Sequence, residues 1–400
     1  MGIQLDSPEE VIAFSPIDTI PDGPEDKPAP GPLLGTIGPF DLPELVSGAA
    51  AWSHFYIEED KLSTDLPLRT IRLALRYGIR AFDTAPYYDN SEIVLGAALK
   101  ALEPEFPRGA YKLVTKVGRY GPDRATGFDY SPAAIRRSVH RSLRRLHTSY
   151  LDVVYLHDVE FIAPCIAPRA EGNHASALGA EADAYGVAPE HDVRTAGDDE
   201  LVLTALSTLR ALQTEGLIRH VGICGLPLPA LLRTALLVLQ RTGRPLDAVQ
   251  AYAHLTLQNG TLPPFAAALR ARARVGQVLA ASPLGMGLLA PPPAAPPAWH
   301  PAPGAVRAAA REAVGAVGPE VAAVAVAWSV RMAAAGDAAG PMPVVVGMVD
   351  LQEVHAAVAA WRWAKDEKRR EELERKAAVA QAVFERAGTA GWTWPSGNWV

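Results

Sequence analysis

Residues 82–99, FDTAPYYDNSEIVLGAAL, combine the end of a short apolar strand, a polar loop and the start of an amphipathic helix. The apolar run predicts a strand over 81–83, and the helical repeat predicts a helix over 91–102. A strand followed at once by a helix is typical of a parallel sheet covered by helices, which indicates an α/β architecture.

The same strand–helix unit recurs along the chain. The other predicted strands are 45–49, 112–116, 153–157, 221–224, 248–251, 277–281 and 344–346. The other predicted helices are 66–77, 133–146, 199–215, 229–242, 264–273, 319–332 and 351–363. Eight such pairs predict a (β/α)8 TIM barrel, and the count disfavours the competing doubly wound sheet. A last charged helix, about 366–386, is expected to pack outside the barrel.

Three segments depart from this rhythm. Residues 1–40 are rich in Pro, Asp and Gly and are predicted to form a flexible N-terminal extension, which leaves 41–400 as a single catalytic barrel. Residues 163–198 are a low-complexity Ala/Gly/Glu insertion after the fourth strand, and 291–303 are Pro-rich and follow the seventh. In a barrel such loops lie on the active-site face. We predict disorder for most of the insertion, with a substrate lid as the alternative.

Composition excludes several classes of function. The net charge is −6 and no block of Lys and Arg is present, which argues against a nucleic-acid-binding surface. The two cysteines, Cys165 and Cys224, form neither a disulfide framework nor a CxxC pair, so we expect a reducing compartment and no metal site. The first residues do not resemble a secretory signal, and the most apolar window, 321–330, is too short to span a bilayer. A cytoplasmic protein with a small-molecule substrate is expected, with neither nucleic acid nor a membrane as partner.

Four polar residues follow three neighbouring predicted strands, and in a barrel all of them would lie on the same face. Asp83 ends the second strand and Tyr88 lies in the loop after it. Lys116 ends the third strand (YKLVTKVG, 111–118), and His157 ends the fourth (VVYLHDVE, 153–160). Taken singly, each has an ordinary structural explanation, such as a helix cap, loop packing or a structural histidine.

Together, these residue types suit the transfer of a hydride and a proton. Reduction of a carbonyl needs a proton on oxygen, and a free Tyr, with a pKa of about 10, is a poor acid–base group at neutral pH. The ammonium group of Lys116 would lower the pKa of Tyr88, and Asp83 would hold Lys116 in place. His157 could donate a hydrogen bond to the carbonyl oxygen. We therefore predict Tyr88 as the acid–base residue of an oxidoreductase.

Residues 82–96, FDTAPYYDNSEIVLG, resemble the Asp-Thr-Ala-x-x-Tyr signature of the aldo-keto reductases, and the resemblance extends over roughly 42–360. The Lys and His of that family's catalytic tetrad follow in the right order. The resemblance implies a barrel that binds a nicotinamide cofactor. It also implies that the tetrad is formed by Asp83, Tyr88, Lys116 and His157.

The segment GQVLAASPLGMGLL (276–289) resembles the family's seventh strand and pyrophosphate loop. The resemblance implies that phosphate is bound by the backbone N–H groups of Ser282, Leu284, Gly285 and Gly287. Residues 285–290 also match GxGxxA, but they run into three prolines instead of a helix, so we exclude a Rossmann site.

Two positions depart from the family pattern in the nicotinamide region. In GICGLPL (222–228), Cys224 and Gly225 stand where a Ser–Asn pair commonly binds the carboxamide. Ala281 stands where many members carry an aromatic residue that stacks on the nicotinamide. Backbone groups or neighbouring side chains would have to replace these contacts, and for Cys224 a role as a small buried strand residue is the alternative.

The last cofactor segment, VVVGMVDLQEV (344–354), follows the eighth strand. The resemblance implies that Gly347 and Met348 approach the adenosine phosphate and ribose. NADP-preferring relatives carry an Arg six residues beyond the Gly, where this chain has Glu353. A carboxylate accepts hydrogen bonds from a ribose hydroxyl but repels a phosphate, which favours NAD over NADP. The alternative is that Glu353 is a solvated helix charge.

Several motifs, among them ASPLGMGLL (281–289) and VQAYAHLTLQN (249–259), resemble the aldose-oxidising branch of the family. That branch implies NAD-dependent oxidation of C1 of a D-arabinose- or L-galactose-type sugar to a lactone, on the route to erythroascorbate. A general aldehyde or ketone reductase is the first alternative, and a cofactor-sensing channel subunit is the second. Candidate sugar-pocket residues, for which packing is the alternative, are Trp52, His54, Tyr87 and Tyr120, with His254 and Gln258 weaker.

Overall fold

Eight parallel strands close into a barrel in the computed structural model of the chain. The structure describes residues 5, 11–53, 56–163, 165–189, 191–195, 197–291, 296–335 and 340–396. The barrel strands are β1 (Leu45–Gly48), β2 (Ala81–Asp83), β3 (Lys112–Val117), β4 (Leu151–Leu156), β5 (Ile218–Gly225), β6 (Ala248–Tyr252), β7 (Gln277–Ala281) and β8 (Val344–Gly347). Strand β8 pairs with β1, which closes the sheet. The predicted (β/α)8 barrel is confirmed.

Ten helices of eleven or more residues surround the barrel within the described residues. They are α1 (Leu66–Tyr77), α2 (Ser91–Ala101), α3 (Pro132–Arg145), α4 (Asp199–Thr214), α5 (Leu228–Thr242), α6 (Leu262–Ala273), α7 (Gly304–Val317), α8 (Val321–Ala334), α9 (Leu351–Lys365) and α10 (Arg370–Arg386). Every predicted helix is present. Helix α7 was not predicted; three of its five buried positions are alanines.

Alternate residues of the strands divide the apolar interior into two parts. Every second side chain along a strand points into the barrel. Val114, Val153, Tyr155 and Leu279 belong to the small buried cluster that these side chains form. The others face the helices and form the larger core. Gly222 on β5 leaves room for this packing, because a Cβ there would lie 2.8 Å from the Tyr155 ring and 2.2 Å from a backbone oxygen.

The N-terminal segment (residues 11–40) lies against α1 and α9, which differs from the flexible extension that composition predicted. Arg362 on α9 donates hydrogen bonds to three carbonyl oxygens, those of Ala29, Pro30 and Pro32. The Tyr77 hydroxyl on α1 accepts a hydrogen bond of 2.7 Å from the Ala29 N–H. The segment is thus held by polar side chains of the barrel helices. These side chains bind its backbone groups, so the attachment does not require apolar residues in the segment.

Asp26 joins the N-terminal segment to α1. Its side chain is 1% exposed, and its two oxygens accept hydrogen bonds of 2.8 and 2.9 Å from Arg69. The Gly23 N–H donates a third bond of 2.9 Å. Burial raises the pKa of Asp26, but these hydrogen bonds outweigh it, so the pKa lies below its ordinary value.

The described part of the insertion is also packed, where disorder was predicted. Its strand Gly172–Asn173 pairs antiparallel with Trp392–Thr393 near the other end of the chain. Tyr185 is fully buried, and Arg272 on α6 donates to the Val187 carbonyl oxygen. Because these partners lie far away in sequence, the local composition of the insertion gave no sign of them.

Within the described residues, no single helix has the length and apolar content needed to cross a membrane. Helices α7 and α8 meet that test of length and composition only as a pair, and the pair is bent by 101°.

The anchoring role of Asp26 can be tested with Asp26→Asn. We expect the free energy of unfolding to fall by about 2 kcal/mol, because hydrogen bonds to a buried charged group are lost. A group with a depressed pKa stabilises the fold above its unfolded pKa, so the difference from wild type should shrink as the pH falls below about 3.9. Urea unfolding measures both effects. Asp18→Asn, at an exposed position, is the control; equal stability of the two variants would contradict the assignment.

Candidate active site

The four predicted catalytic residues meet at the carboxyl ends of β2, β3 and β4. Lys116 Nζ lies 2.5 Å from Asp83 Oδ1 and 2.9 Å from the Thr84 carbonyl oxygen. The same nitrogen is 4.7 Å from the centre of the Tyr88 ring. The rings of Tyr88 and His157 stand 5.7 Å apart and nearly perpendicular, at 87°. The structure therefore brings together the four side chains that the sequence placed on successive strand ends.

The Lys116–Asp83 pair is the charged centre of this group. Both side chains are buried, at 3% and 5% exposure. Burial disfavours the ammonium form, but the adjacent Asp83 carboxylate outweighs it, so the pKa of Lys116 lies above its ordinary value. Lys116 thus carries a positive charge beside the Tyr88 ring throughout the neutral range.

Tyr88 is a neutral phenol in the protein without cofactor. Burial raises the pKa of Tyr88, and the positive charge of Lys116 acts in the opposite direction without cancelling it. The predicted influence of Lys116 therefore has the expected sign. Burial outweighs it because a phenolate loses more hydration energy on entering the barrel mouth than one nearby ammonium returns.

His157 is a neutral imidazole. Burial, together with the charges of Lys116 and Arg119, holds the pKa of His157 well below its usual range. Its Nδ1 is buried and has no hydrogen-bond partner among the described residues. An unpartnered buried N–H is costly, which favours the proton on Nε2. Nε2 lies 3.7 Å from Asp158 Oδ2, too far for a hydrogen bond, so it can donate to a substrate oxygen.

Arg119 and Asp158 belong to the site although the sequence analysis did not select them. Arg119 pairs with the Asp158 carboxylate, and its Nη2 lies 3.2 Å from the Tyr87 hydroxyl. Each follows a tetrad residue in sequence, Arg119 three positions after Lys116 and Asp158 directly after His157. The presence of a charged residue just beyond a catalytic strand end was the signal that could have identified both.

The candidate sugar-pocket residues separate into those that reach the site and those that do not. Tyr87 is at the site, with its ring 5.8 Å from that of His157. Tyr120 is buried, and its hydroxyl accepts a 3.0 Å hydrogen bond from the Gly118 N–H, which commits it to its own loop. Trp52 is fully buried in the outer core. His54 lies outside the described residues.

The two weaker candidates after β6 also have structural partners. His254 is buried and its Nδ1 donates to the Tyr252 carbonyl oxygen over 2.8 Å. Gln258 Nε2 donates to the Thr389 and Trp392 carbonyl oxygens over 2.8 and 3.0 Å. These bonds commit His254 Nδ1 and Gln258 Nε2 to backbone oxygens of the protein.

The glycine loop (residues 282–290) has the tight backbone that a phosphate site needs, but two of its four predicted donors are occupied. The Ser282 N–H donates to the Val345 carbonyl oxygen and the Gly285 N–H donates to Ser282. Among the described residues, the N–H groups of Leu284 and Gly287 have no acceptor. These two amides, with the Gly287 backbone at a φ of +89°, are the ones left to meet a phosphate.

His300, which the sequence analysis did not select, fixes the conformation of the glycine loop. Its Nδ1 accepts a hydrogen bond from the Ala302 N–H, so the proton lies on Nε2. Nε2 then donates to the Gly285 carbonyl oxygen over 2.8 Å. The ring also lies 5.2 Å from that of the buried Trp394. The Pro-rich stretch after β7 thus supplies a clamp for the predicted phosphate site.

The C-terminal segment (residues 387–396) crosses the active-site face and was likewise not predicted. Ser396 Oγ donates to Glu160 Oε1, in the loop after β4, over 2.9 Å. The Leu226 N–H, at the end of β5, donates to the same oxygen over 3.0 Å. Burial raises the pKa of Glu160 to about 8. Through Trp394 and Ser396 the chain terminus joins the glycine loop to the loops after β4 and β5.

Cys224 and Gly225 lie at the end of β5, where the carboxamide was expected. Cys224 is buried within the barrel cluster, as its alternative role predicted, and burial raises the pKa of its thiol well above the ordinary value. A Cβ on Gly225 would lie 2.2 Å from a carboxylate oxygen of Glu160. The glycine is therefore required for close packing against Glu160, and Gly225 has no side chain to offer a carboxamide.

The predicted adenosine end lies beside a cavity of about 740 Å³ between the loop after β1 and the start of α9. Gly347 is exposed at the end of β8, and Met348 is buried. Glu353 is exposed, and its Oε2 accepts a 2.7 Å hydrogen bond from the Val349 N–H, which caps α9. Lys61 lines the cavity and is paired with Glu58 at 3.2 Å.

The match to a family model agrees with this geometry. The model of the aldo/keto reductase family matches residues 44–378. The chain belongs to the aldo/keto reductase family. Members of this family are oxidoreductases that use nicotinamide cofactors, and the barrel, the glycine loop and the Asp83–Lys116–Tyr88–His157 group lie within the matched region.

Two relatives with assigned activities are similar to this aldo/keto reductase. D-arabinose 1-dehydrogenase of Saccharomyces cerevisiae is 38% identical over 259 residues, which cover 63% of this chain and 65% of the yeast enzyme. L-galactose dehydrogenase of Arabidopsis thaliana is 32% identical over 305 residues, which cover 75% of this chain and 79% of the plant enzyme. The match to the yeast enzyme thus spans just under two thirds of that enzyme's length.

Solved structures agree on the fold of this aldo/keto reductase. The holo form of an aldo-keto reductase from Bacillus halodurans superposes with a TM-score of 0.55 at 20% identity, over 88% of this chain and 96% of that chain. The glycerol dehydrogenase of Gluconobacter oxydans gives a TM-score of 0.54 at 21% identity, over 86% and 95% of the two chains.

The clamp formed by His300 can be tested with His300→Ala. We expect the dissociation constant for the nicotinamide cofactor to rise by roughly tenfold, because losing one hydrogen bond loosens the glycine loop by about 1–1.5 kcal/mol. Titration calorimetry measures the constant without turnover. His191→Ala, at an exposed position in the insertion, is the matched control. Unchanged affinity in His300→Ala would separate the glycine loop from cofactor binding.

Proposed function

We propose that this aldo/keto reductase oxidises C1 of an aldose of the D-arabinose or L-galactose type to the aldonolactone, with NAD as hydride acceptor and Tyr88 as the proton acceptor. The observation that carries the proposal is the buried Lys116–Asp83 pair held against Tyr88, with the His157 ring 5.7 Å from the Tyr88 ring. The identity of 38% to D-arabinose 1-dehydrogenase supports the choice of an aldose. Two free, buried cysteines suit a reducing compartment such as the cytoplasm.

The residues present fit a dinucleotide that lies across the active-site face. Leu284 and Gly287 offer a pyrophosphate two backbone N–H groups that no acceptor in the described part of the chain occupies. The cavity lined by Val349, Leu351 and Gln352 offers space for the adenosine end, and Glu353, the next residue along α9, favours ribose hydroxyls over a phosphate. Bound oxidised nicotinamide would supply the hydride acceptor and a further positive charge near Tyr88.

Proton transfer would run through Tyr88 and its two neighbours. The C1 hydroxyl of the sugar loses its proton to the Tyr88 phenolate while the C1–H bond breaks with its electron pair and C1=O forms. Lys116 stabilises the phenolate that must exist before this step. His157 Nε2–H donates a hydrogen bond to the same sugar oxygen and fixes its position. Because burial raises the pKa of Tyr88, the rate of oxidation should increase with pH.

A second candidate, reduction of an aldehyde or ketone, is supported by one specific observation. The raised pKa keeps Tyr88 protonated, which suits a proton donor to a carbonyl oxygen. A match of 35% identity over 138 residues to an NADH-specific methylglyoxal reductase of Escherichia coli points the same way, although it covers only 32% of this chain.

Steady-state assays with both substrate classes test the proposal. We expect D-arabinose or L-galactose to be oxidised with NAD, and kcat/KM with NAD to exceed that with NADP by roughly tenfold or more, because the carboxylate of Glu353 repels a 2′-phosphate. Glu353→Gln, which retains a hydrogen-bond acceptor for the Val349 N–H, should reduce this preference. Absence of turnover of every aldose, with reduction of methylglyoxal by NADH, would instead support the second candidate.

Tyr88→Phe tests the role of the hydroxyl. We expect kcat to fall by roughly 10³-fold or more with the dissociation constant for NAD unchanged, because only the proton acceptor is removed. Tyr150→Phe, just before β4 at the opposite end of the barrel, is the matched control, since its ring packs on Arg108 and Arg219. Activity of Tyr88→Phe within a few-fold of this control would contradict the mechanism.

A further inference from the structure

Arg119 and Asp158 are two buried charges beside the tetrad that the proposed mechanism does not use. Their side chains are 15% and 3% exposed. The guanidinium group lies among aromatic rings, 4.1 Å from the centre of Tyr87 and 5.2 Å from that of Phe161. A charged pair in such surroundings is costly to desolvate, and a methionine–leucine pair of similar volume would be cheaper. The pair therefore calls for an explanation other than stability.

Asp158 has a position that would disturb His157 if its charge were not balanced. It directly follows His157 with a φ of +50°, and this left-handed turn directs its Oδ2 to within 3.7 Å of His157 Nε2. A buried carboxylate this close to an imidazole raises its pKa and draws its N–H into a hydrogen bond. Arg119 is bonded to that same Oδ2.

We propose that Arg119 is a positioning residue: by occupying the Asp158 carboxylate it leaves His157 neutral, with Nε2–H free for the substrate oxygen, and through the Tyr87 hydroxyl it holds the loop that carries Tyr88. Arg119 thereby links the loops after β2, β3 and β4. The effect on catalysis rests on the proposed function, whereas the effect on His157 itself does not.

The other groups that face His157 do not replace Arg119 in this role. Lys116 on β3 is positive but is paired with Asp83. The rings of Tyr87 and Tyr88 are uncharged, and Cys224 on β5 is a buried neutral thiol. The Tyr130 hydroxyl donates to the backbone carbonyl oxygen of His157 and does not reach its ring. Without Arg119 the surroundings of His157 would therefore gain one uncompensated negative charge.

Nitrogen NMR of ¹⁵N-histidine-labelled protein, with His157→Gln to assign the signal, measures the pKa of His157 without substrate or cofactor. In the wild type we expect the ring to remain neutral through the range in which a free imidazole, with a pKa of about 6.5, becomes protonated. In Arg119→Met the pKa of His157 should rise by at least about one unit. Asp158→Asn should not raise it, and the double variant Arg119→Met/Asp158→Asn should return it to the wild-type range. In Arg119→Lys, which keeps the positive charge, the pKa of His157 should also stay in the wild-type range.

Turnover of aldose with NAD supplies the second readout. In Arg119→Met we expect kcat to fall by roughly tenfold or more at neutral pH, with the loss partly recovered in the double variant. Melting temperatures identify any variant that fails to fold, and in that case Arg119→Lys and the double variant still decide the question. An unchanged pKa of His157 in folded Arg119→Met, or a double variant that keeps the raised pKa, would overturn the inference. A wild type that oxidises no aldose while His157 titrates as expected would refute the proposed function alone.

Discussion

The ion pair between Lys116 and Asp83 is the interaction on which the rest of the site depends. The two charges can approach to 2.5 Å because β2 and β3 are neighbouring parallel strands, with Asp83 opposite Val114. Each charge alone would be costly at this depth in the barrel mouth, and removing either leaves the other without compensation, at about 3–5 kcal/mol. The Thr84 carbonyl oxygen accepts a second hydrogen bond from the ammonium group, which fixes the direction of that group. Tyr88 and His157 are then arranged around a positive charge that cannot move.

A second ion pair, Arg119–Asp158, repeats this logic one strand farther along the barrel. Lys116 lies within β3 and Arg119 follows it, and each cation meets a carboxylate from the end of a neighbouring strand. The described residues of the barrel mouth therefore include two separate ion pairs. Burial lowers the pKa of His157, and the cations of both pairs lower it further, so neither pair is without effect on the uncharged groups beside it.

The sequence predicted what depends on local period and on strand order, and it missed what depends on contacts between distant loops. Strand ends converge in any closed parallel barrel, so Asp83, Lys116 and His157 could be placed together before the structure was known. The sequence could not show which backbone N–H groups of the glycine loop are available, because the Ser282 N–H donates to the Val345 carbonyl oxygen on the neighbouring β8. Tyr120 differs, because its hydroxyl is engaged by the backbone of its own turn, a local hydrogen bond that the residue pattern does not reveal.

The C-terminal segment shows how far such non-local contacts extend. It pairs with the insertion through Trp392, accepts hydrogen bonds from Gln258 after β6, places Trp394 edge-on to His300, and reaches Glu160 through Ser396. Loops that would hold the cofactor and loops that would hold the sugar are therefore fastened to one short stretch of chain. Since His300 fixes the glycine loop and Glu160 fixes the end of β5, a displacement of this stretch would alter both halves of the site together. Composition marks none of these residues as functional, because each acts through a partner more than a hundred residues away in sequence or through a ring contact that only the closed barrel creates.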